Sequence, residues 1–105
     1  MAYPGSALYG LAKQHQWTLP DDQGGPGWIG YSQHAYECLP LPTDSLAATQ
    51  VLDFRDRAFQ EYFTHPEYLA MLQRTFGPRV VAHVEDMCRH QVRRRHHDQA
   101  ANRAA

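Results

Sequence analysis

Between Thr43 and Gly77 the apolar residues recur at helical spacing, with one marked break. Val51, Phe54, Ala58 and Tyr62, with their neighbours Leu52, Phe59 and Phe63, lay a wide apolar stripe along one face. The other face carries Asp53, Arg57 and Glu61 at four-residue steps. That spacing predicts that Arg57 pairs in both directions, each exposed pair worth about 0.2–0.5 kcal/mol. The pattern predicts a helix over 46–64 that stops at Thr64-His65-Pro66, because proline removes a backbone donor and holds His65 out of the helical region. Pro66 suits the first turn of a second helix, 66–76, capped by Thr64 or His65 and carrying Leu69, Leu72 and Phe76 on its apolar face. Gly77-Pro78 closes it, the glycine in a left-handed conformation.

The same reading extends outward. Ser6 is the expected cap of a helix over 7–16 whose inner face holds Leu8, Leu11, Ala12 and His15. A last helix over 79–94 gathers Val80, Val81, Val84, Met87, Cys88 and Val92 on one side. The fold class expected is therefore mainly α, with four short helices and a long irregular connector over 17–43. That connector holds eight glycines and prolines from Pro20 to Pro42, too many for a helix. It also holds Trp17, Trp28, Ile29, Tyr31 and Tyr36, which argues against disorder. An ordered wrap is expected, with more aromatic surface than four short helices can bury. The chain then divides into 1–16, the wrap 17–43, a helical region 44–95 and a tail 96–105, which lacks apolar periodicity and is expected to fray.

Composition changes this picture little. A chain of 105 residues makes at most one domain, and its net charge of −1 does not suit a polyanion partner. Basic residues are nonetheless concentrated at the end: residues 79–105 hold six basic and three acidic side chains, against four and eight before them. Arg93-Arg94-Arg95 invites a nucleic-acid reading through phosphate neutralisation, but it has no interleaved aromatic platform and also fits a helix C-terminus. Nucleic acid is the weaker expectation.

Cys38 and Cys88 are too few and too far apart for a disulfide framework, which fits a cytoplasmic setting. No apolar run approaches the roughly 20 residues of a membrane helix, and no secretory signal is visible at the N-terminus. His83 and His90 sit two turns apart, too far for usual zinc spacing, and His96-His97 in a polar tail would take up metal only incidentally. Gly24-Gly25-Pro26-Gly27 lacks the spacing of a phosphate loop. Ser32, His34 and Asp44 are close in sequence only, and no catalytic residue or metal ligand is assigned.

Several stretches taken together point further: AYPGSALY, then W-x-L-P, then GYSQHAYECLPLPT, then VLDFRDRAFQEYFTHPEYLAMLQRTFG. In that order they resemble the region that follows the catalytic barrel in cobalamin-binding radical SAM enzymes. The resemblance covers about residues 1–95 and is most specific in FRDRAFQEYF and YSQHAYECLPLPT. It implies a parent enzyme with a cobalamin domain and a barrel whose C-x-x-x-C-x-x-C loop holds a [4Fe–4S] cluster that cleaves S-adenosylmethionine. None of those ligands stands in this sequence, so the expectation is a structural region, inactive alone, that covers the barrel and begins at an internal methionine of a truncated, split or mis-started gene. The residues expected to face the barrel or a partner protein are Trp28, Tyr31, His34, Tyr36, Phe54, Phe59 and Phe63. One departure concerns Ala47, where the family pattern has a capping serine three residues before Gln50; Asp44 or Ser45 is expected to cap instead. A free-standing protein-interaction adaptor is the alternative from the residues alone.

Overall fold

The computed structural model describes residues 1–105 and is mainly helical: α1 (Ala7–Gln14), α2 (Ala48–Phe63), α3 (Pro66–Phe76), α4 (Pro78–Arg89) and α5 (Arg95–Ala104), with a 3-10 turn at Gly27–Tyr31. No helix is long and apolar enough to cross a membrane. The chain forms two units, one of residues 1–53 with 92–105, the other of residues 54–91.

In the first unit, Ser6 caps α1 by accepting the Tyr9 amide hydrogen at 3.1 Å. The helix ends at Gln14, short of the expected residue 16, because Gln16 takes a positive φ of 55°. That turn lets Trp17 N–H reach Ala12 O and Gln16 N–H reach Lys13 O, a paired closure of the helix end. It also drops Trp17 onto Ala12, so the inner face of α1 becomes Ala12 with Tyr9, packed with Ala2, Leu19 and Leu41. Leu8 and Leu11, expected inside, are exposed.

The connector is ordered, as its aromatics imply. Gly27 donates to Pro20 O at 2.8 Å and Leu39 to Gly30 O at 2.9 Å. Gly30 is buried where a Cβ would lie 2.6 Å from Pro20 Cβ and 2.7 Å from Pro26 Cγ, so only glycine lets the two prolines close on the turn. At α2, neither Asp44 nor Ser45 caps. Gln50 instead reaches back to the Ala47 amide at 2.9 Å, one half of a capping box, while Thr43 accepts from Leu46 at 2.9 Å.

The tail departs most from expectation. Residues 95–104 are helical, and the preceding helix stops at Arg89 rather than continuing to residue 94. The physical cause is Arg94. It is extended (φ −126°, ψ 135°), 1% exposed, and donates from Nη1 to Ala35 O and from Nη2 to Gln33 O, both at 2.9 Å. Charge-assisted bonds to carbonyls inside the unit outweigh one more helical turn in water. Arg95 N–H then bonds Tyr36 O, and the Tyr36 hydroxyl donates to Asp98 at 2.8 Å, so α5 is held down from its first turn.

In the second unit, the corner at residues 64–66 forms as the sequence predicts. His65 Nδ1 accepts from the Glu67 amide at 3.3 Å, and Pro66 opens α3. Gly77 has a φ of 86° with ψ 178°, a region open essentially to glycine alone, and Pro78 begins α4 directly. Leu72 packs on Val84 and Cys88, flanked by Phe63, Tyr68, Leu69 and Val81. Phe76, expected on that face, is exposed, and so are Phe54 and Tyr62 of the α2 stripe.

Candidate functional site

The residues expected to face a partner lie in different environments. Trp28 is 73% exposed and Ile29 beside it 51%, both on the 3-10 turn. Tyr31, on the same turn, points inward: it is buried, and its hydroxyl donates to Asp21 Oδ1 at 2.5 Å. His34 is exposed. Tyr36 is half-buried, with the guanidinium groups of Arg93 and Arg95 at 5.7 and 5.9 Å from its ring centre. The arginine run is therefore engaged within the chain, Arg94 on carbonyls, Arg93 on Asp98 at 2.7 Å and Arg95 near Glu37 at 3.8 Å. In the second unit Phe54 is exposed under Arg57, while Phe59 and Phe63 are half-buried with ring centres 4.6 Å apart.

Asp21 anchors the exposed turn. Tyr31 and Tyr9 each donate a hydroxyl to it, and these two bonds hold its carboxyl below the ordinary aspartate range. Burial first, and then the Asp21 bond, push the Tyr31 hydroxyl far above its ordinary value. A depressed carboxyl contributes stability that is present above its unfolded pKa and is lost as pH falls through the folded one. Acid titration followed by tryptophan fluorescence is therefore expected to loosen this turn at the acid end of the carboxylate range, with a weaker pH dependence in Asp21→Asn.

Sequence reasoning missed a second constellation. Asp53 does not pair with Arg57, which instead lies 3.9 Å from Glu61. Asp53 Oδ1 is 2.7 Å from His96 Nε2 and 2.7 Å from His97 Nε2, and the donor atoms of the three side chains lie within 4.8 Å of one another. Burial pushes the Asp53 carboxyl up, but the two imidazole bonds outweigh it and hold the group below its ordinary value. His96 also lines a recess of about 130 Å³ with Glu37, Cys38, Thr49, Leu52 and Arg95. The adjacent histidines were visible in the sequence, whereas their carboxylate, 43 residues away, was not.

The cluster implied by the resemblance needs three cysteines, and this chain has two. Cys38 is half-buried in the first unit and Cys88 is buried in the core of the second. Comparison with family models, with curated proteins and with solved structures finds no match to this chain.

Proposed function

We propose that this chain is a helical covering region of a cobalamin-dependent radical SAM enzyme, structural in role, that seats the Trp28–Ile29 turn against the enzyme's barrel. The resemblance in YSQHAYECLPLPT and FRDRAFQEYF supplies the partner. One structural observation carries the rest: an exposed tryptophan and isoleucine project from a turn whose own bonds are satisfied elsewhere. Gly30 is wedged between prolines, Gly27 and Leu39 close the backbone, and Tyr31 ties the turn to Asp21. Such a turn loses little conformational freedom on docking, which is what makes a protruding aromatic an effective anchor. Covering the barrel would exclude water from a radical intermediate, giving the contact a chemical purpose.

The partner to test is a C-x-x-x-C-x-x-C protein, sought in the reading frames beside this gene. Replacing Trp28 with serine is expected to weaken that association by about 2 kcal/mol or more, roughly thirtyfold, in a calorimetric titration. The fold should stay intact, because Trp28 packs little of its surface within the chain. Equal affinity in the variant would remove the turn from the interface. Absence of any such neighbouring frame would favour the adaptor reading.

A further inference from the structure

We propose that Asp53, His96 and His97 form a binding site for one divalent cation of the zinc class, which fastens the returning tail to the first unit. Two imidazole nitrogens and a carboxylate oxygen are the donor set that zinc and its neighbours in the first transition row accept. Here they come from separate parts of the chain and converge within 4.8 Å. Bonds of about 2.0–2.2 Å to a shared ion require donors a little over 3 Å apart. The two nitrogen–oxygen separations of 2.7 Å therefore need only open by rotation of exposed or half-buried side chains.

The arrangement already favours exchange of hydrogen bonds for metal bonds. A carboxylate only accepts, so in the metal-free state each imidazole donates an Nε2–H to the same Asp53 oxygen. With the ion present, each ring turns an Nε2 lone pair to the metal and carries its proton on Nδ1. Asp53 and His97 are exposed, so solvent can supply the water that completes four-coordination. Two features oppose a cation here: the positive end of the α5 dipole and the neighbouring Arg95. Asp53 opposes them directly, while Asp98, in the same helical turn, is already paired with Arg93.

Topology gives the site a role. Asp53 is the last residue of the first segment of its unit, and His96 and His97 lie in the segment that rejoins it at residue 92. A metal bond between them closes a loop of more than forty residues, so it fastens the returning segment to its own unit. Calcium and magnesium, which take six or more oxygen ligands, do not fit two imidazoles.

The test uses the full chain without a histidine tag, titrated with Co2+ as a coloured stand-in for Zn2+. One equivalent is expected to bind, with visible absorption that Zn2+ abolishes and excess Mg2+ does not. Asp53→Asn and His97→Asn should each weaken binding at least about tenfold, with helical circular dichroism and tryptophan fluorescence unchanged. His83→Asn, on α4, should bind as the wild type. Zn2+ should also slow amide exchange across residues 95–104 in the wild type but not in Asp53→Asn. Lack of saturable binding, or binding unaffected by Asp53→Asn, would overturn the proposal.

Discussion

Replacing Arg94 with alanine is expected to destabilise the first unit by about 3 kcal/mol, since hydrogen bonds to a charged group contribute about 1.5–3 kcal/mol each. Arg94 is buried and its guanidinium holds Gln33 O and Ala35 O at once, so truncation leaves two carbonyls without that donor. It also cuts the tether that brings the Arg95 amide to Tyr36 and the Tyr36 hydroxyl to Asp98. A loss of that size is a large fraction of the roughly 5–15 kcal/mol that stabilises a typical domain. Lysine is expected to recover only part of it, because an ammonium is a point donor where the fork of arginine meets two acceptors. Both tryptophans, Trp17 and Trp28, belong to this unit, so urea unfolding followed by intrinsic fluorescence reads it selectively. A midpoint unchanged in Arg94→Ala would show that the tail does not hold the wrap.

Truncating Leu72 to alanine is expected to cost the second unit a similar amount, about 3 kcal/mol within the range of 2–5 for buried leucine. Leu72 is 6% exposed and is the α3 residue on which Val84 and Cys88 of α4 close. The flanking aromatics Phe63 and Tyr68 meet edge to face at 5.6 Å, which limits how far the site can collapse to fill the gap. Leu72→Met, which conserves volume, should cost less than about 1.5 kcal/mol. No tryptophan lies in this unit, so the measurement is helical circular dichroism against urea. A Leu72→Ala curve that overlays the wild type would place the core of the unit elsewhere.

These expectations mark the line between what the sequence made legible and what it did not. The corner at residues 64–66 and the Gly77-Pro78 junction were readable because their causes are local. Proline at the start of a helix, an imidazole one residue before it and a glycine-only φ need no distant partner. The ordered wrap was legible from its aromatics, though the direction each one faces was not. Tyr31 turns inward because Asp21, ten residues earlier, accepts a hydrogen bond from its hydroxyl, whereas Trp28 three residues away turns out. The inner face of α1 was misread for a related reason: the closure at Gln16 chooses which side meets Trp17, and it favours Tyr9 over Leu8 and Leu11.

The largest departures share one origin. Helical periodicity extended the last apolar helix to residue 94 and left the tail to fray, but Arg94 finds its acceptors 59 and 61 residues back in the chain. Asp53 was assigned to Arg57 by four-residue spacing, yet its partners are histidines 43 and 44 residues later. Exposed pairs along a helix stabilise by a few tenths of a kcal/mol, too little to hold an aspartate against stronger partners from elsewhere. Patterns within one helix cannot rank such competitors.

The proposed role rests most directly on one association. Co-expression of this chain with a C-x-x-x-C-x-x-C protein encoded in an adjoining reading frame, followed by native mass spectrometry and acrylamide quenching, tests it. The account predicts a one-to-one complex in which tryptophan quenching falls, because the exposed Trp28 becomes covered. Separate species, or a complex in which quenching is unchanged, would contradict it.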